Sequence, residues 1–426
     1  MLDINLIREN PKLVKENLKK RFQDNKIKGV DDLLKKDKEW REIKQKIDDL
    51  RHKRNIISQE INQLIKQKQN PKNKINEVKE IPNKIRDLEK EEDLLKEKIN
   101  SYLSELPNII HKSVPTGKTE KDNKVRRKWG KITKLKFKPK THVEILENLN
   151  QADFDVSAEV SGKGFYFLKD KIALLNQALI RFAIDFMYKK KYTYIEPPLM
   201  LRKEILSAAL DLGELKNSIY NIEEEDLSLI GTSEHSLLAL HTKKLIPEQE
   251  LPKKYFSYTM CFRKEIGAHG INEKGLWRTH QFNKVEQFIF CKPEDSYKYY
   301  EELLKNSEDI YKKLKLPYRV LEFCSGDLAS WKSKSCDIEI YRPTIKEYGE
   351  VGSLSNCTDY QARKLSIRVL RKNKSKEILH TLNNTAIATS RTMVAILENY
   401  QQKDGTVKVP KVLVPYMNGI KEICKS

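Results

Sequence analysis

Arg263 and Glu265, two residues apart, open the stretch FRKEIGAHGINEKGLWRTHQFNKVE at 262–286. On an extended backbone such residues project from one face, so a cation and an anion can meet a single ligand. Glu350 and Ser353, three apart, can both face one hard cation, with phosphate oxygens completing the shell that magnesium prefers. Arg391 falls in the first turn of an otherwise apolar helical run, TMVAILENY, where it opposes the helix dipole beside core residues; it calls for an anionic or aromatic partner. Thr232 and Glu234 stand where the loop of GTSEHSLLALH enters an amphipathic helix. Taken singly, each has a plainer reading: a solvated charged hairpin, a helix cap with an acid favoured by the dipole, an arginine snorkelling to solvent.

The elements that must position these groups are readable around them. GAHGINEKG has the glycines of a long turn, and from Leu276 to Phe290 aromatic, branched and polar residues mix as in a returning strand, so the stretch reads as an antiparallel hairpin. A globular part begins at Thr141, and IALLNQALIRFAIDFM at 172–187 has the wide apolar face of a packed helix. Upstream the pattern changes. Trp40, Ile47 and Ile61 form one seven-residue ladder and Ile43, Leu50, Ile57 and Leu64 another, with Arg54 the polar step. A second pair follows QKQNPKNK: Val78, Ile85 and Ile99 beside Ile81, Leu88, Leu95 and Tyr102. Pro82 requires the second helix to start or kink there. A short turn between two such helices implies an antiparallel hairpin, about 50 Å long if each holds about 35 residues.

Hydrophobic residues make up 38% and charged residues 34%, too polar for one compact globule and suited to a globular part plus long solvated helices. The net charge of +21 points to a polyanionic partner, nucleic acid first. Arg51-His52-Lys53-Arg54 and the lysines from Lys66 to Lys74 make the helical pair a plausible phosphate tracker, against the plainer reading of a spacer or dimerisation coil. No apolar run reaches the ~18 residues a membrane span needs. The N-terminal MLDINLIREN carries acids and no apolar core, which makes a soluble cytoplasmic chain the expectation. Six scattered cysteines argue against a disulfide framework or a structural zinc site. The division expected is 1–111 as an N-terminal domain with the coiled arm, 112–140 as a basic linker and 141–426 as the globular domain, with nothing appended after VPKVLVPYMNG.

The hairpin resembles motif 2 of class II aminoacyl-tRNA synthetases, and TMCFRKEIGAHG through GLWRTHQFNKVEQF is similar to the seryl-tRNA synthetase version. The helix at 172–187 with KKYTYIEPPLM resembles motif 1, with Pro198 at the motif proline and Lys191 where the family usually has glycine. HTLNNTAIATSRTMVAILENYQ resembles motif 3. The resemblance covers Ile7 to Tyr416. It implies an α+β fold, a six- to seven-stranded antiparallel sheet flanked by helices, working as a homodimer with no membrane attachment. ATP and L-serine would be the substrates, magnesium the cofactor and serine tRNA the acceptor, with selenocysteine tRNA left open as a second acceptor.

By the same resemblance, Arg263 and Arg391 are the catalytic cations. The ATP site is Arg263, Glu265, Thr279, His280, Gln281, Phe282, Glu350, Val351, Gly352, Ser353 and Arg391, with Phe282 stacking on adenine and Glu350 and Ser353 holding magnesium. The serine site is Thr232, Glu234, Arg263, Glu286, Asn383 and Thr385. Two rivals belong to other classes: a catalytically inactive paralogue that binds RNA, and a ligase that charges a carrier protein. The intact charged set counts against the first and the long arm against the second.

Overall fold

The computed structural model describes residues 1–425 except 133, 211–212, 214–216 and 267–273. The chain divides into two compact units, Met1–Pro107 and Asn108–Ser426. The first is helical: α1 (Ile4–Glu9), α2 (Pro11–Lys20), α3 (Ile27–Lys66), α4 (Lys72–Lys79) and α5 (Ile81–Glu105). Asn10 caps α2 by accepting the Leu13 amide at 3.1 Å, and Pro11 fills the first turn, where no amide is needed. Pro82 is likewise placed early in α5, and the chain breaks at Glu80 between α4 and α5.

The ladders become one seam. Ile43, Ile47, Ile57, Ile81, Ile85 and Leu95 are buried together, flanked by Trp40, Leu50, Ile61, Val78 and Leu88. Ion pairs fix the sense of the pairing: Lys74 with Glu60 at 2.8 Å, Lys53 with Glu77 at 3.3 Å and Arg51 with Glu89 at 2.8 Å, so numbers fall on α3 as they rise on α4 and α5. Arg54, on the ladder by spacing, is exposed. At 1.5 Å per residue, the 40 residues of α3 span about 60 Å.

The second unit is built on an eight-stranded sheet: β1 (Lys124–Trp129), β2 (Thr193–Tyr194), β3 (Lys253–Phe262), β4 (Gln281–Cys291), β5 (Tyr318–Glu322), β6 (Lys334–Arg342), β7 (Glu347–Thr358) and β8 (His380–Ala388). Their spatial order is β1-β5-β6-β7-β8-β4-β3-β2. All neighbours are antiparallel except β2, which runs parallel to β3. The six or seven strands expected become eight because two edges are added. One edge, β1, comes from residues 112–140, expected as a basic linker: its Arg126 and Arg127 find Glu301 and Glu308 on a helix, and its Trp129 ring stacks on Tyr318 at 5.7 Å. The backbone of β5 supplies the ladder that makes this stretch a strand.

Five helices matter for the site: α6 (His142–Asn148), α7 (Asp170–Lys189), α8 (Ser233–Ala239), α9 (Ser296–Lys313) and α10 (Thr389–Tyr400). Thr141 and Glu144 form a reciprocal capping box that starts α6. The buried faces of α7, α9 and α10 share one core with Val285 and Ile289 of β4, Leu354 of β7 and Leu382 of β8. Because side chains alternate along a strand, the intervening residues of β4, β7 and β8 point away from that core and line a cleft. Lys191, following α7, takes φ +63, the left-handed region in which glycine carries no penalty. Among the described cysteines five are buried, Cys424 is exposed and all are free thiols. Among the described residues no helix is long and apolar enough to cross a membrane.

Candidate active site

The cleft encloses about 310 Å³ and lies wholly within the second unit. At one end Arg391 enters from the first turn of α10. Its guanidinium donates to the Glu350 carboxylate at 2.8 Å, to the Glu350 carbonyl at 3.1 Å and to the Trp277 carbonyl at 3.1 Å, and it lies 5.4 Å from the Trp277 ring centroid. Both the anionic and the aromatic partner that such a cation needs are present. Enclosure works against the charged form of Glu350, but the Arg391 guanidinium outweighs it and holds the carboxyl below its ordinary value. Its side chain remains 42% exposed toward the cleft.

Across β6 and β7 the register sets Asp337 opposite Ser353. Burial, and then Glu350, push the Asp337 carboxyl well above its ordinary range, and its Oδ1 has no hydrogen-bond partner within the chain. Gly352 is a close approach: a Cβ there would stand 3.2 Å from the Thr385 Cβ.

Arg263 marks the middle. Its backbone N–H still bonds to His280, so the pairing of β3 with β4 runs one step past Phe262. Its Nε donates to the Gly231 carbonyl at 3.2 Å, and its guanidinium lies 5.4 Å from the Phe282 ring. Glu265 does not continue the strand. It takes φ +52, and the turned backbone brings its carboxylate to Arg278 at 2.9 Å. Both side chains line the cleft, but by a turn and not by the extended run expected of them.

The other end is more buried. Thr232 caps α8, and Glu234 accepts from Gln361 at 2.8 Å. Glu286, opposite Thr385 in the β4–β8 register, pairs with Lys284 at 2.9 Å and accepts from the Thr385 hydroxyl at 3.2 Å. Burial nevertheless pushes the Glu286 carboxyl up, since Lys284 and Thr385 compensate only in part. His235 is pushed down to about 3 by burial, then by Arg263 and Lys284, and so stays neutral. Asn383 is buried with its Oδ1 unpartnered in the chain. Buried polar groups are rarely left so, and one lining a cleft invites a ligand.

Of the expected site residues, Thr232, Glu234, Arg263, Glu265, Thr279, Phe282, Glu286, Glu350, Val351, Gly352, Ser353, Asn383, Thr385 and Arg391 all line this one cleft. His280 and Gln281 do not. The His280 ring is turned to the Arg263 carbonyl at 2.8 Å and the Tyr220 hydroxyl at 3.0 Å, and Gln281 alternates away from Phe282 on β4. The returning strand starts at Gln281, not at Leu276, and the turn read at 267–275 lies mostly outside the described residues. Sequence reading passed over Arg278, Lys284, Asp337 and His235. Lys284 had a signal: it stands two before Glu286, the same spacing that drew attention to Arg263. Asp337 had another, an acid inside an apolar strand.

Comparison with known proteins gives this geometry its context. The model of the seryl-tRNA synthetase N-terminal domain matches residues 1–110, and that of the class II tRNA synthetase core domain (G, H, P, S and T) matches residues 218–400. The serine–tRNA ligase of Methanocella arvoryzae is 45% identical over 422 residues, 99% of this chain and 99% of that protein. That of Pyrococcus abyssi is 46% identical over 444 aligned positions, 99% of this chain and 97% of the other. Among solved structures, the seryl-tRNA synthetase of Pyrococcus horikoshii complexed with ATP matches with a TM-score of 0.94 at 44% identity, covering 100% of both chains. The cytoplasmic serine–tRNA ligase of Naegleria fowleri in complex with AMP matches at 0.89 and 35% identity, over 100% of this chain and 99% of that one. With relatives above 40% identity along nearly its whole length, and an N-terminal domain model specific to one amino acid, this chain belongs to the seryl-tRNA synthetase family of class II aminoacyl-tRNA synthetases.

Proposed function

We infer that the chain is a serine–tRNA ligase, which joins L-serine to ATP as seryl-adenylate and then transfers serine to the 3′ end of serine tRNA. The observation that carries this reading is the convergence of two arginines and three carboxylates, Arg263, Arg391, Glu265, Glu286 and Glu350, on one cleft in a chain of this family. An inactive RNA-binding paralogue would need none of them.

Attack of the serine carboxylate on the α-phosphorus crowds negative charge there while pyrophosphate leaves, so fixed cations serve better than acids or bases. Arg263, held by the Gly231 carbonyl, neutralises the carboxylate and the α-phosphate. Arg391 takes the far phosphates, and Phe282 stacks on the adenine. Glu265 with Thr279 and Phe282, which line the cleft, hold base and ribose. Thr232, Glu234, Glu286, Asn383 and Thr385 enclose serine, and the Asn383 Oδ1 acceptor gains its missing donor from the ligand. In the second step the tRNA 3′-terminal hydroxyl attacks the seryl carbonyl and AMP departs.

Magnesium fits the donors available. Glu350, Ser353 and the unpartnered Asp337 Oδ1 are hard oxygens of the kind magnesium takes, and phosphate and water oxygens would complete the shell. When bound, the ion neutralises phosphate charge.

The exposed apolar residues Leu174 and Tyr188 of α7, with Phe167 and Met200, support a homodimer through the motif 1 region, and the cytoplasm is the compartment in keeping with tRNA charging. Serine-dependent ATP–pyrophosphate exchange tests the first step and formation of seryl-tRNA the second. Exchange driven by another amino acid, or by none, would overturn the reading.

A further inference from the structure

Trp277 carries two guanidinium groups within cation–π range, Arg391 at 5.4 Å and Arg342 at 4.3 Å from the ring centroid. Arg342 donates from Nε at 3.2 Å and from Nη2 at 2.7 Å to Glu398, a fully buried carboxylate that also accepts from the Thr344 hydroxyl at 2.7 Å. His142 Nδ1 faces the same carboxylate at 3.6 Å, while its Nε2 accepts the backbone N–H of Leu276, next to Trp277, at 3.1 Å. Glu398 therefore reaches both the ring of Trp277, through Arg342, and the backbone before it, through His142.

The segment has little room to shift. A Cβ at Gly275 would lie 2.3 Å from His142 Nε2, and one at Gly349 would lie 2.4 Å from the Trp277 ring. Burial works against the ionised form of Glu398, but the His142 ring facing it at 3.6 Å and the hydrogen bonds from Arg342 and Thr344 keep its carboxyl below its ordinary value. Glu398 stands seven residues, two turns, after Arg391 on α10. Neither it nor Arg342 nor His142 lines the cleft, so none touches a ligand there.

We propose that Glu398 is a positioning residue for the phosphate end of the site: through Arg342 and His142 it fixes Trp277, whose carbonyl and ring hold the Arg391 guanidinium in its working direction. One helix thus carries both the phosphate-binding arginine and the carboxylate that aims it. This rests on the assignment of Arg391 to ATP.

The test is pyrophosphate exchange by the full-length protein carrying Glu398→Gln, Trp277→Leu, Trp277→Phe or, as a control, Arg391→Ala. Glu398→Gln and Trp277→Leu should each raise the KM for ATP about tenfold, between the worth of an exposed and of a desolvated cation–π contact, and leave the KM for serine within about twofold. Trp277→Phe keeps an aromatic face and should restore the ATP value. Equal rises for ATP and serine, or a Trp277→Leu variant like the parent, would show a merely structural cluster and overturn the proposal. An unchanged KM for ATP in Arg391→Ala would remove the ATP assignment itself, and the proposal with it.

Discussion

At the scale of single residues, the site is a set of enclosed charges, several met by a specific partner: Arg391 by Glu350, Lys284 by Glu286 and Arg278 by Glu265. Arg263 is the group with most to do if charge at phosphorus limits the reaction. Arg263→Ala should lose about 3 kcal/mol or more of transition-state stabilisation in pyrophosphate exchange, by analogy with removing one oxyanion donor. Near-normal exchange would mean that another cation does this work. Glu286 makes a separate prediction through pH. Its folded carboxyl is raised above the ordinary 4.5, chiefly by burial, so the folded state keeps a proton that the unfolded state has already released. Stability linked to Glu286 is then full below about 4.5 and is lost as pH rises through the folded value. Glu286→Gln removes this titration and adds a pH-independent change in the hydrogen bonding around Lys284 and Thr385. The difference in urea midpoint between variant and parent should still move in the variant's favour as pH rises from 4 to 7; a flat difference would contradict the raised value.

At the scale of elements, the paired helices α3 and α5 and the β3–β4 hairpin differ in how openly their sequences declare them. The helices are a seven-residue pattern with one seam, and the ion pairs across it are exposed enough to add little stability each. On the proposed function, their lysines and arginines serve a phosphate backbone. Arg54 sharpens the test. Its spacing puts it on a ladder, yet it is exposed, so Arg54→Glu should leave the helical circular dichroism unchanged. Binding of serine tRNA should weaken, and the slope of log K against log salt should fall by about one for each phosphate that is no longer neutralised. An unaltered slope would remove this part of the helix from the tRNA path. Lys53 is a poorer probe, because it pairs with Glu77 and reversing its charge would set two carboxylates together.

At the scale of the whole molecule, a helical pair spanning about 60 Å exceeds anything that a small substrate requires. Its base is part of the first unit's own core: Val30 and Leu33 are fully buried, and Asp37, 1% exposed, pairs with Arg8 of α1 at 2.6 Å. A deletion should therefore start above that base. Replacing residues 44–94 by a short linker should leave serine-dependent pyrophosphate exchange largely intact and abolish transfer to tRNA at ordinary concentrations. Efficient charging by the shortened protein would make the pair a spacer.

The sequence alone determined what can be read along one stretch of chain. The seven-residue ladders specify the coil, Asn10-Pro11 the start of α2, and the motif residues 262–286 and 380–401 the family, because helix periodicity, capping and motif spacing are all local. Tertiary structure decided which side chains meet. Asp337 and Ser353 are neighbours only because β6 lies beside β7, and Glu286 meets Thr385 only through the β4–β8 register. His280, expected in the ATP site, turns away because its ring is taken by the Arg263 carbonyl and the Tyr220 hydroxyl. Residues 124–129 become an edge strand because β5, far along the chain, offers their backbone a ladder of partners, with Glu301 and Glu308 meeting Arg126 and Arg127 beside it. A local pattern fixes the conformation of a segment; the partner of a buried charge is fixed by sheet order, which no single segment encodes.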